Sequence, residues 1–267
     1  MLSGSPALML SGSHALLWRA GEPESMRAED FKFMKIGHET KGQDPRYLTI
    51  DVIRGFAVFL MVIFHVAFDL NSFGFVSIDF IENAFWFSFP RFIVTLFLIC
   101  VGMSLALAHK EGIRWAAARR RFYKIGGWAL VITMITYLLF RENFVYFGIL
   151  HCIATTSVVG VFFVRLPKLS LVVCIILVVS NFIFQPTLVP MSAWLNVSPM
   201  DYIPFYPWFG VVLLGIYLES INFHRIPIQR SFLTKPFEIM GKHSLKIYLL
   251  HRPIIYGLVF SLSKLNH

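Results

Sequence analysis

Two basic side chains, Arg54 and His65, lie in an otherwise almost wholly apolar run: Asp51-Val-Ile-Arg54-Gly-Phe-Ala-Val-Phe-Leu-Met61-Val-Ile-Phe-His65-Val-Ala-Phe-Asp69. An imidazole with a carboxylate one helical turn away suits a general base or a nucleophile, because the carboxylate fixes the ring tautomer and stabilises the protonated ring. At about 100° per residue, the step from Arg54 to His65 returns to within about 20° of the same helix face, roughly 16 Å further along the axis. Asp51 stands one turn before Arg54 and Asp69 one turn after His65, so the four groups share one stripe. Ionisable groups at membrane depth cost about 2.5–3.5 kcal/mol or more unless they face a cavity or a partner. The stripe is therefore a candidate site. The plainer alternative is that Asp51 and Arg54 anchor one end of the helix while His65 bonds a neighbouring helix.

Other polar groups repeat the pattern. His151 sits in Phe147-Gly-Ile-Leu-His-Cys-Ile-Ala154, near the start of a later apolar run. Ser244, Tyr248 and His251 fall at i, i+4 and i+7 of the last one, a single helical face, and Pro253 then removes a backbone donor. Helix–helix hydrogen bonding explains such a face almost as well as a site does. Arg91, His151 and Tyr248 are candidate donors to a developing oxyanion. Arg119, Arg120 and Arg121, with Lys124, form a basic run that either sets topology and meets anionic lipid or docks the phosphates of a cofactor. The segment Asp201-Tyr-Ile-Pro-Phe-Tyr-Pro-Trp208 reads as an interfacial aromatic belt or as sugar-binding aromatics with Asp201 as their carboxylate. Asn196-Val-Ser198 matches a glycosylation sequon. Gly-rich phosphate loops, HExxH, CxxC and GxSxG motifs are absent, and no metal site is expected from Cys100, Cys152 and Cys174, which all lie in apolar segments.

These residues need helices to carry them. The 267-residue chain is 57% hydrophobic and only 15% charged, with a mean hydropathy of +0.67. A soluble domain carries about 25% charged residues, so the composition is that of an all-α integral membrane protein. Seven spans are expected, at 52–70, 87–108, 125–140, 144–164, 169–184, 206–221 and 245–262, forming a polytopic helical bundle over residues 46–267. Residues 1–45 read as a solvated cytosolic tail, disordered or an over-extended start, with Met26 and Met34 as alternative first residues. The net charge of +9 does not point to nucleic acid, because 20 of the 24 Lys/Arg fall on one side of the bundle, in the segment up to Arg54 and in the short connections. By the positive-inside rule the N-terminus is cytosolic and the C-terminus external, in a bacterial inner or plasma membrane. Arg54 then lies near the inner interface, with His65, Asp69, Arg91, His151 and Asp201 toward the outer half.

The stretch Tyr47-Leu-Thr-Ile-Asp51-Val-Ile-Arg-Gly55, the Arg54-x10-His65 spacing and His65-Val-Ala-Phe-Asp69-Leu-Asn71 resemble the opening of the heparan-alpha-glucosaminide N-acetyltransferase catalytic-domain-like family. The blocks at Phe147–Ala154 and at Asp201-Tyr-Ile-Pro-Phe-Tyr-Pro-Trp-Phe-Gly210 resemble further family segments, and Gly241-Lys-His-Ser-Leu-Lys-Ile-Tyr-Leu-Leu-His251-Arg-Pro253 resembles the closing one. The Arg-x10-His feature is similar to that of the wider transmembrane acyltransferase superfamily, including acyltransferase-3 enzymes. The resemblance implies acyl transfer across the membrane, from cytosolic acetyl-CoA as co-substrate to a sugar hydroxyl or amine outside. The chain departs from the lysosomal enzyme, whose proposed active histidine follows its first span in a luminal loop, whereas His65 is inside the span.

The sequence reading is thus a membrane acyltransferase. Arg54 and the Arg119–Arg121 run would engage the CoA end, while His65, oriented by Asp69, would deprotonate the acceptor or carry the acyl group. Its partners are the lipid bilayer and an external glycan, and a homodimer is compatible with it. The rivals are a transporter or flippase whose polar stripe is a permeation path, and a structural membrane subunit without catalysis.

Overall fold

The computed structural model describes residues 45–184 and 201–265, and the regular elements among them are all helical. The tail, the alternative starts and the Asn196 sequon fall outside those residues. In chain order the helices are α1 (Pro45–Ser72), α2 (Ala84–Ala108), α3 (Trp115–Leu139), α4 (Ile149–Gly160), α5 (Pro167–Phe184), α6 (Phe205–Ser220), α7 (Thr234–Lys242) and α8 (Ser244–Leu265). A 3-10 turn at Val161–Phe163 extends α4.

Local chemistry sets several boundaries. After α1 the chain turns through Gly74, whose φ of 79° lies in the left-handed region that glycine enters freely. The Asn71 side chain then accepts from Ile78 N at 2.7 Å and pins the connecting loop. Asn83 caps α2, accepting from Phe85 N and Trp86 N at 3.0 and 3.3 Å and satisfying two amides that have no intrahelical partner.

Five helices are long and apolar enough to cross a bilayer: α1 from Leu48, α2, α3, α5 and α8. The other two expected spans are shorter. The 16-residue α6 rises about 24 Å, less than the roughly 30 Å hydrocarbon core, and α4 with its 3-10 turn rises about as far. Two further expectations are corrected. The Arg119–Arg121 run is not in a loop but on the first turns of α3, because Trp-Ala-Ala-Ala-Arg-Arg-Arg is built from good helix formers although it is not apolar. The expected spans also leave out α7, whose charged residues hide it from a search for apolar runs.

The centre of the bundle is the crossing of α2 with α6, where Leu98, Val212 and Leu213 are wholly buried. A Cβ on Gly102 would stand 2.1 Å from Val212 O, and one on Gly215 would stand 2.3 Å from Ile99 O, so only glycine permits this approach. α1 and α7 meet the same way, through Gly55 against the Phe237 carbonyl and Gly241 against the Asp51 carbonyl. α1 also packs on α2 and α8, α3 on α4, and α5 on α6. α3 and α5 turn most of their surface outward, with Leu130, Met134 and Leu138 on α3 and Phe182 and Ile183 on α5 among the most exposed apolar side chains. Such a surface is stable against lipid rather than water, and the protein is an integral membrane protein.

Candidate active site

The α1 stripe meets different neighbours at its two ends. At the N-terminal end, Arg54 holds Asp51 Oδ1 at 3.3 Å and donates to Ser104 Oγ of α2 at 2.7 Å. Arg121 of α3 lies within electrostatic reach of Arg54, and its Nε is buried without a hydrogen-bond partner among the described residues. Arg121 also lines a cleft of about 530 Å³ with Arg114, Arg120, Lys124 and, from α8, Leu245. Arg119 does not line it. The cleft gathers cations at one end of the bundle with few anions to oppose them, as a phosphate-bearing group requires.

At the other end of the stripe, α8 delivers Arg252 to α1. Its Nη1 donates to Asp69 Oδ1 at 2.8 Å and approaches His65 Nδ1 at 3.4 Å. The expected direct orientation of His65 by Asp69 is therefore corrected: Arg252 stands between them. A carboxylate only 2% exposed takes a permanent cation as its partner in preference to a neutral imidazole. Because a guanidinium can only donate, His65 Nδ1 accepts and the ring proton sits on Nε2.

His251, one residue before Arg252, lies beside His65 with ring centroids 4.9 Å apart. Its Nδ1 is 2.7 Å from Tyr248 O. A carbonyl can only accept, so Nδ1 carries the proton and Nε2 keeps its lone pair. Asp69 Oδ2 and His251 Nε2 are both buried and without a hydrogen-bond partner among the described residues.

The network continues from Tyr248, whose hydroxyl donates to Asp201 Oδ2 at 3.5 Å. The same carboxylate oxygen accepts from Ile149 N, in the first turn of α4, at 3.3 Å. It can approach because residue 148 is glycine: a Cβ there would lie 2.7 Å from Asp201 Oδ2. An acidic side chain at a helix N-terminus satisfies an orphan amide and complements the dipole, so Asp201 ties α4, α8 and its own loop together.

The remaining expected residues fall elsewhere. Both nitrogens of His151 are engaged by the chain: Nδ1 accepts from Gly148 N at 3.3 Å, and Nε2 donates to Thr133 Oγ1 of α3 at 3.3 Å. Thr133 in turn donates to Val145 O at 2.7 Å. His151 thus joins α3 to the start of α4. Arg91 lies over the Phe87 ring, 3.6 Å from its centroid, and donates to Phe87 O on its own helix rather than to the His65 cluster. The Tyr206 hydroxyl, from the Asp201 aromatic segment, pairs with Ser180 Oγ of α5 at 3.0 Å.

Arg252 and Ser104 contact the candidate residues and are absent from the sequence-based candidates. Arg252 carried a signal, a cation inside the last apolar run that raises the same cost argument as Arg54. Ser104 carried none, since a serine in an apolar helix is common.

With this geometry in place, residues 46–253 match the protein family described as heparan-alpha-glucosaminide N-acetyltransferase, catalytic. The match runs from the start of α1 to the residue after Arg252, so it takes in both ends of the polar stripe. No curated protein and no solved structure matches the chain.

Proposed function

The chain belongs to the heparan-alpha-glucosaminide N-acetyltransferase catalytic family, and from that premise we propose that it moves an acyl group, acetyl in the first instance, from cytosolic acyl-CoA to a sugar or glycan on the other side of the membrane. The observation that carries this reading is the α1 stripe. One end, at Arg54, adjoins the basic cleft of Arg114, Arg120, Arg121 and Lys124, while the other end, at His65, meets the buried Asp69 and His251 and the half-buried Arg252. The two ends are roughly 16 Å apart along one helix.

In this reading the cleft takes the phosphates of the donor, where arginine forks bind phosphate oxygens in pairs. The thioester arm runs along α1 toward His65. The imidazole cluster receives the acceptor and handles its proton, and Arg252 with His65 Nε2–H supplies donors for the thioester oxygen as it gains charge. Asp201 and His151 position α4, α8 and α3 around the cluster. The apolar bundle keeps water from the thioester, as active-site closure does elsewhere.

The two shorter apolar helices α4 and α6 complete seven crossings, with the N-terminus cytosolic by the bias of basic residues. The Arg54-x10-His65 spacing supports a wider kinship with acyltransferase-3 enzymes.

Purified protein in detergent, given acetyl-CoA and glucosamine, tests the reading directly. Free CoA thiol is expected to appear in step with acetylated sugar, as followed by a thiol reagent and mass spectrometry. Sugar uptake into vesicles without any thiol release would establish the transporter alternative instead.

A further inference from the structure

The two open atoms of the buried cluster are of one chemical kind. Asp69 Oδ2 is a carboxylate oxygen, and His251 Nε2 is left with its lone pair because Tyr248 O holds the ring proton on Nδ1. Both accept hydrogen bonds, and neither finds a donor among the described residues. A buried polar atom without a partner keeps the cost of its lost hydration, so two in one cluster mark a place that a ligand completes. That ligand must donate at two points. The reacting end of a thioester offers only a carbonyl acceptor, whereas a sugar carrying adjacent O–H or N–H groups offers two donors.

The neighbouring imidazole is set the opposite way. His65 Nδ1, its only lone-pair nitrogen, is already met by Arg252, which leaves an N–H at Nε2. Of the two rings, 4.9 Å apart, His251 is the one with a free base and His65 the one with a free donor.

We propose that His251 Nε2 takes the proton of the attacking amine or hydroxyl, while Asp69 Oδ2 accepts a second hydrogen bond from the same acceptor; this rests on the acyl-transfer reading above. In the step, the acceptor N or O forms a bond to the thioester carbon, and its proton passes to His251 Nε2. The carbon–sulfur bond then breaks, and the proton leaves His251 for the CoA thiolate, giving acetylated sugar and CoA thiol with His251 neutral again. Tyr248, which acts on His251 through its carbonyl, is a positioning residue.

The test compares two acceptors in the wild-type, His251→Gln and His65→Gln proteins, each checked for size and melting temperature in detergent. Glucosamine needs a base to remove its proton. Hydroxylamine attacks thioesters readily without one. Glutamine keeps a hydrogen-bonding side chain at each position but cannot take up a proton. His251→Gln is expected to lower kcat/KM for glucosamine acetylation by about 10²–10⁴-fold and that for hydroxylamine by less than about tenfold, while His65→Gln lowers both together. The retained hydroxylamine reaction also shows that the variant is folded. Equal loss on both acceptors, no loss on either, or selective loss in His65→Gln overturns the assignment to His251 and leaves acyl transfer standing. If the wild-type protein acetylates hydroxylamine but not glucosamine, the sugar-amine acceptor is wrong. If it acetylates neither, the acyltransferase reading fails and this inference fails with it.

Discussion

Removing the Arg252 guanidinium isolates the charge it was meant to balance. Asp69 is nearly sealed, its side chain 3% exposed, and Arg252 is its one ion-pair partner among the described residues, at 2.8 Å. The second carboxylate oxygen has no partner there to share the load. Breaking a buried pair by removing one member costs about 3–5 kcal/mol, because the survivor is left charged and unsolvated. The Arg252 side chain is 36% exposed, so water reaches that end of the pair and screening brings the cost below that range. Arg252→Ala is therefore expected to cost about 2–3 kcal/mol, or about 5–10 °C in melting temperature for a chain of this size. Asp69→Asn removes the charge that needs a partner and should cost less. In the double variant Arg252→Ala with Asp69→Asn no buried carboxylate remains, so it should melt above the Arg252→Ala single variant. The assay is thermal unfolding in detergent, followed by fluorescence-detected size exclusion and read as a double-mutant cycle. Additive losses, with the double variant the least stable of the three, would refute the claim that Arg252 balances Asp69.

Two other outcomes follow from the same structure. With the native cysteines removed, Asp79→Cys in the exposed loop between α1 and α2 should react with an impermeant thiol reagent in intact cells, and Arg230→Cys before α7 should not; the reverse labelling would invert the proposed orientation and separate the basic cleft from cytosolic CoA. At α7, Lys242 at 2.6 Å and Arg230 at 3.3 Å hold Glu238, and the hydrogen bond from Lys242 chiefly keeps its carboxyl below the usual glutamate range. A lowered native value means that the clamp's full contribution is present above the usual range and is lost as pH falls through the lowered value. Wild type should therefore lose more melting temperature than Glu238→Gln between pH 6 and the acid limit, and parallel curves for the two proteins would remove Glu238 from the account.

Much of this protein is legible without coordinates. Five long apolar helices and the α1 stripe follow from run length and from the cost of charge in hydrocarbon, both properties of the local chain. Arg54 and His65 stood out for that reason, and so did the face carrying Tyr248 and His251. The same search erred where local chemistry is not apolar: it started α3 after its basic turns and passed over α7. The expected spans at α4 and α6 fall on apolar helices shorter than the five long ones. What only the tertiary structure decided is which atoms of the candidate residues are free. Arg252 comes from α8, 183 positions from Asp69 in the chain, and takes the carboxylate that sequence spacing had given to His65. Asp201 binds the start of α4, and His151 spends both nitrogens on Gly148 and Thr133. Helical periodicity tells which residues share a face but not which donor or acceptor the neighbouring helix brings to it. A histidine's chemistry depends on that neighbour, because the partner of one ring nitrogen decides whether the other offers a proton or a lone pair.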